Sequence, residues 1–321
     1  MKHIDMAQKE KPLYRTALPQ LKGGVFLADG GLETTLVFEK SMDLPCFAAF
    51  PLLDTDTGRG ALRSYFARYL DIAAKNAVGF VLDTPTWRAN ADWGVKLGYD
   101  AAALDRLNRD AVAFVADLRA HLANAGRPIV LSAVIGPRGD GYVAGAEMSV
   151  AEAERYHGVQ VQSFAATAAD FVAAVTMTNV PEASGIARAA KVAKVPAVIS
   201  FTVETDGKLP SGTSLGEAIE AVDQATGNYP AYYMINCAHP THFEKVLKGA
   251  WVNRIGGIRA NASAKSHAEL DASTSLDSGN PQELGRQYSA LRKLLPRATV
   301  LGGCCGTDHR HIEHICHACA A

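Results

Sequence analysis

Thr299-Val300-Leu301-Gly302-Gly303-Cys304-Cys305-Gly306-Thr307-Asp308 carries an apolar β-type run into two glycines, two adjacent cysteines, a third glycine and a helix start. Glycine lets the backbone turn sharply and approach a ligand closely. Adjacent thiols are too constrained for an ordinary disulfide with each other. They can instead hold a soft metal as thiolates, with at least one further ligand from elsewhere in the chain. The candidate is Cys237, in Tyr232-Tyr233-Met234-Ile235-Asn236-Cys237-Ala238-His239-Pro240, where another apolar run ends before a helix start. A three-thiolate zinc site at the C-terminal ends of two strands is therefore the organising expectation.

The same unit, an apolar run followed by a segment of helical periodicity, repeats along the chain. Gly24-Val25-Phe26-Leu27-Ala28-Asp29 reads as the first strand, and residues 79–84, 128–135, 170–175 and 196–203 as the next four. The sixth delivers Cys237, residues 255–260 form a weaker seventh, and the eighth delivers Cys304 and Cys305. Helices are expected over 55–77, 100–125, 149–169, 181–193, 214–224, 241–248 and 281–295, with a last one closing the chain. Ser149 followed by Glu152 has the pattern of a capping box. Strands that are nearly continuous apolar runs belong to a parallel sheet buried on both faces. Eight such units in 321 residues fit a closed (β/α)8 barrel of the TIM type, a single α/β domain over 24–321 after a polar leader, 1–23.

Composition narrows the function classes. The chain is 48% hydrophobic and 20% charged with net charge −1, which gives no electrostatic case for nucleic acid or an anionic membrane. No apolar run approaches a membrane span, and the first residues lack the apolar core of a signal peptide. Six cysteines in a chain of this size do not read as a disulfide framework, and reduced thiols suit the cytoplasm. The expected partners are small molecules, with the oligomeric state, homo-oligomer included, left open.

A barrel of this type keeps its chemistry at the C-terminal ends of its strands. Those ends carry Asp29, Asp83 with Thr84, Asn236 with Cys237, and Cys304 with Cys305. Three protein ligands and one open position describe a catalytic zinc. A thiol bound at the open position loses its proton at neutral pH and becomes a nucleophile. The residues alone thus lead to alkyl transfer onto sulfur.

Asp29-Gly30-Gly31-Leu32-Glu33-Thr34, Asn236-Cys237 and Gly302-Gly303-Cys304-Cys305-Gly306 resemble the signature blocks of the homocysteine S-methyltransferase family. So do Ile199-Ser200-Phe201-Thr202 and Gly212-Thr213-Ser214-Leu215, and the resemblance runs over residues 24–315. It implies a (β/α)8 barrel with zinc on Cys237, Cys304 and Cys305. It further implies that homocysteine takes a methyl group from an onium donor such as S-methylmethionine or betaine and becomes methionine. Asp29 would stand beside the amino-acid substrate, with Gly30, Gly31, Asp83, Thr84 and Asn236 as its other expected contacts. One position departs. Family members usually carry, at the end of the fourth strand, a glutamate for the substrate's amino group, and here that position is Val175. Asp29, Asp83 or another acid must then take over, or the acceptor is a different thiol. Residues 261–267 also depart from the family's stretch after the seventh strand.

Other features have two readings each. Asp29 could simply cap its turn, and Asp83 could bond a loop amide. Trp87 and Trp93 could lie over a cationic donor or pack beneath their loop. Arg138 and Asp140 sit in a glycine-rich loop and suit a solvated role, and Cys46 reads as a plain thiol. The tail His309, His311, His314, Cys316, His317 and Cys319 has the composition of a second metal site, but a helix would spread these residues around its surface. A zinc lyase or hydrolase on the same barrel would turn over without a methyl donor. A non-catalytic barrel would hold zinc and transfer nothing.

Overall fold

The computed structural model describes residues 11–122, 127–143, 145 and 147–320. Eight parallel strands close into a barrel in sequence order: β1 (Phe26–Leu27), β2 (Gly79–Asp83), β3 (Ile129–Ile135), β4 (Phe171–Met177), β5 (Ala197–Phe201), β6 (Tyr232–Asn236), β7 (Ile255–Ala260) and β8 (Val300–Gly303). Pairing of Phe26 with both Gly79 and Val300 closes the ring. Outside it lie α1 (Asp56–Lys75), α2 (Ala101–Leu122), α3 (Val150–Ala165), α4 (Val180–Val192), α5 (Leu215–Thr226), the short α6 (Pro240–Phe243), α7 (Pro281–Leu294) and α8 (His309–Cys319). The expected (β/α)8 barrel is the fold. The last residues of the helix expected over 100–125 lie outside the described residues.

Period-two alternation divides each strand between two cores. Val172 and Ala174 of β4 face the helices, whereas Phe171 and Ala173 join Phe26, Val81, Val130, Val198, Tyr232, Met234 and Val300 inside the barrel. The same alternation brings Asp83, Val175, Asn236 and Arg259 to its upper interior, where all four line one cavity. Apolar filling below thus makes a floor for a polar mouth above.

The segment expected as a leader seals the lower end where it is described. Tyr14 and Leu18 pack against the inner core. Asp170, just before β4, accepts from the amides of Leu13, Tyr14 and Leu131 and from Arg119. Arg15 donates to the carbonyls of Ala165, Thr167 and Ala169. Those are carbonyls left over where α3 ends, so the helix stops at Ala165, short of the expected 169. The expected Ser149–Glu152 capping box is present.

Three further departures are local. The helix expected over 241–248 is only α6 and a 3-10 turn, Glu244–Val246. A second 3-10 segment, Ala250–Arg254, follows and lays Trp251 on α5, where a Cβ on Gly216 would stand 2.6 Å from the indole nitrogen. β4 runs on to Met177 through a register shift that holds Thr176 at a φ of 61°. Short helical turns after β1 (Leu32–Thr34), after β2 (Ala91–Lys96) and after β7 (His267–Asp271) build up the mouth.

Candidate active site

The mouth of the barrel holds a cavity of about 480 Å³, within the usual range for a small-molecule site. Cys237, Cys304 and Cys305 all line it. Their sulfurs lie within 4.8 Å of one another, and they are the one cluster of metal-binding character among the described residues. Tetrahedral zinc–thiolate bonds of ~2.3 Å put sulfurs about 3.8 Å apart, so the set suits three corners of such a centre. In this structure Cys237 and Cys304 are joined as a disulfide, their Cα atoms 5.3 Å apart, and Cys305 is free. The sequence pattern predicts thiolates at all three positions. The ends of β6 and β8, which flank β7, bring the first two close enough to bond each other, and in that state they cannot ligate a metal.

Each cysteine is fixed through its backbone. Cys237 sits at a φ of 53°, a left-handed conformation that costs a non-glycine residue free energy. Its carbonyl accepts from Asn261 Nδ2 at 3.0 Å and faces His267 Nε2 at 2.7 Å, which holds it there. The Cys304 amide donates to Ala260 and the Ala262 amide donates to Cys305, tying the β8 turn to the end of β7. Gly31 lets the β1 loop reach the same turn, since a Cβ there would stand 2.7 Å from the Cys304 carbonyl oxygen. Tyr142, on the glycine-rich loop after β3, brings its hydroxyl 3.2 Å from Cys305 Sγ and stacks on His267 at 4.1 Å. Burial pushes the Cys305 thiol up to about 11 against the Tyr142 hydrogen bond, so without a metal it stays protonated at neutral pH.

The other expected contacts, Asp29, Gly30, Gly31, Asp83, Thr84 and Asn236, all line the cavity. Several are already engaged. Asn236 accepts from the Thr176 amide and Ser200 and donates to Thr176 Oγ1, which secures the β4 bulge. Thr84 Oγ1 accepts from the Val134 amide and pairs with Thr86 Oγ1. Asp29 and Asp83 are bridged by Arg259 of β7, whose Nη2 and Nη1 reach one carboxylate each. Arg259 Nε donates to the Gly303 carbonyl at 3.1 Å, and Tyr65 donates to Asp29 at 3.1 Å. Burial raises the Asp29 carboxyl to about 6, with Arg259 pulling down and Asp83 pushing up. Neither acid is a bare turn cap. Val175, where the family pattern would have a glutamate, offers only methyl groups to the cavity.

Arg259, Glu33 and Tyr142 escaped the sequence reading. Glu33 lies inside the quoted Asp29–Thr34 block and lines the cavity. Trp87 and Trp93 hold a cation of the chain itself: the Arg88 guanidinium lies 4.1 Å and 3.8 Å from their ring centres. Arg138 is tied down by Asp92 and Glu182, and Asp140 caps the amides of Tyr142 and Val143. Cys46 is exposed and free. The tail cysteines and histidines do not converge: His311, Cys316 and Cys319 are buried while His314 and His317 face outward.

Among solved structures, the homocysteine methyltransferase MmuM of Escherichia coli is similar in fold. Its oxidised form matches with a TM-score of 0.70 at 20% identity over 93% of this chain and 97% of that one. Its metallated form matches with a TM-score of 0.70 at 19% identity over 94% and 99%. No curated protein sequence matches. The family profile described as homocysteine S-methyltransferase matches residues 26–319. This chain is a methyltransferase, and it belongs to the homocysteine S-methyltransferase family.

Proposed function

We propose that the protein transfers a methyl group from a cationic onium donor, of the S-methylmethionine or betaine kind, to the thiol of homocysteine, giving methionine. The observation that carries this reading is the convergence of Cys237, Cys304 and Cys305 in one cavity at the barrel mouth. Once the disulfide is reduced, these three residues would hold zinc and leave one position for a substrate sulfur. Zinc there would lower the pKa of the acceptor thiol, so that no separate general base is required.

The chain's own residues supply orientation and field. Six carboxylates (Asp29, Glu33, Asp83, Asp140, Asp271, Asp277) against two guanidinium groups (Arg88, Arg259) line the cavity, which favours a positively charged donor. The acceptor sulfur would attack the donor's methyl carbon in line. The bond from that carbon to the onium sulfur or nitrogen breaks, its electron pair stays on the heteroatom, and the donor leaves neutral at that atom. Phe38, Phe47 and Tyr142 line the same cavity and help exclude water from the transfer. Among the described residues no helix is long and apolar enough to cross a membrane. Thiol ligands of this kind would stay reduced in the cytoplasm.

The test is methionine formation by reduced, zinc-loaded protein given homocysteine with S-methylmethionine or betaine. Turnover that disappears in Cys305→Ser supports the reading. Zinc-replete protein that makes no methionine from any onium donor contradicts it.

A further inference from the structure

We propose that Glu33 is the carboxylate that receives the α-ammonium group of the amino-acid acceptor, in place of floor acids that the chain has already neutralised with Arg259. The inference rests on the proposed function, because it needs an amino-acid thiol bound at the cysteine cluster.

A buried ammonium without a carboxylate partner is costly. Asp29 and Asp83 lie in the upper interior of the barrel, but Arg259 bridges them and occupies the place a substrate cation would take. Val175 can bond nothing. Asp140 accepts from the Tyr142 and Val143 amides through Oδ1 and turns Oδ2 toward Arg88 at 3.9 Å, while Asp277 accepts from Ser263 and the Gly279 amide. Asp271 is exposed and solvated. Glu33 is partly buried and lines the cavity. Among the described residues, no other residue forms a hydrogen bond or ion pair with its side chain, and its bond is to its own amide.

Its place is beside the thiols. Gly31 is packed on the Cys304 carbonyl, and Thr34 Oγ1 accepts from the Gly306 amide at 3.3 Å, so the turn bearing Glu33 is docked on the cysteine turn from both sides. An acceptor whose sulfur sits at the cysteines carries its ammonium only a few bonds away, in the cavity that Glu33 also lines. Burial pushes the Glu33 carboxyl up to about 7, with Asp29 adding to the rise and its own amide, Arg88 and Arg259 opposing it.

The experiment is calorimetric binding of homocysteine and of its des-amino analogue, 4-mercaptobutanoate, to reduced, zinc-loaded protein. Wild type is expected to bind homocysteine about 10- to 100-fold more tightly than the analogue, the range of a hydrogen-bonded charge pair. Glu33→Gln should bring the two thiols within about threefold while the protein keeps its zinc and its cooperative thermal unfolding. Equal binding of the two thiols by wild type, or a preference that survives in Glu33→Gln, overturns the assignment with thiol binding intact. Failure of both thiols to bind wild type overturns the proposed function as well.

Discussion

Arg259 occupies a buried position between Asp29 and Asp83, an arrangement that is costly to break from either side. Arg259→Met would leave two facing carboxylates without their cation, and a loss of about 3–5 kcal/mol is expected in urea unfolding. Glu33 makes a different prediction, about pH. Burial raises its carboxyl to about 7, Asp29 adding to the rise and Arg88 and Arg259 opposing it. Only the ionised form attracts an ammonium. The preference for homocysteine over 4-mercaptobutanoate should therefore grow as pH rises through about 7 and stay flat in Glu33→Gln. The Glu33→Gln comparison separates this change from the ionisation of the thiols themselves.

The residues legible from sequence were those whose chemistry is local. Gly302-Gly303-Cys304-Cys305-Gly306 declares both its backbone freedom and its ligand type in one run. Arg259 declares nothing by itself, because its meaning depends on where the ends of β1 and β2 arrive. Glu33 was hidden for a related reason. Asp29 looked like the acid of its block, and only the folded barrel reveals that Asp29 is already engaged.

At the scale of elements, the last helix and the lower seal carry stability independently of the site. Asp308 caps α8, accepting from the Arg310 amide and pairing with Arg310 and His311. Burial opposes its charge, yet bonds from His311 and Arg310 hold its carboxyl well below the usual range. A depressed carboxyl contributes stability above its unfolded pKa, near 4, and that contribution is lost as pH falls below it. Asp308→Ala should cost about 1–2 kcal/mol at neutral pH, with the gap from wild type shrinking in acid unfolding. The lower seal is more demanding. Asp170→Ala would strand Arg119 and three backbone amides, and about 3–5 kcal/mol should be lost in urea titration. Element boundaries were read less well than element types. Where α3 ends depends on Arg15, some 150 residues distant in sequence, and the shortness of α6 goes with Trp251 packing on Gly216. Neither contact has a local signature.

At the scale of the whole molecule, the repeated strand–helix unit made the barrel readable, because a parallel sheet covered on both faces writes itself as apolar runs. The barrel in turn explains how residues 67 positions apart, Cys237 and Cys304, come to share one point. On the proposed function, that convergence would serve two exclusive states, the disulfide and a metal-binding thiol set. Protein prepared without reductant should keep Cys237 and Cys304 bonded to each other and take up little zinc, and thiol reductant should restore uptake, as read by metal analysis alongside a thiol count.

The central claim, a metal-held thiol methylated at the barrel mouth, is tested most directly by zinc content and methionine formation in reduced wild type and Cys304→Ser. About one zinc per chain and methionine from homocysteine and an onium donor are expected in wild type, both lost in the variant. Reduced wild type that binds no zinc, or a Cys304→Ser variant that still forms methionine at the wild-type rate, would contradict it.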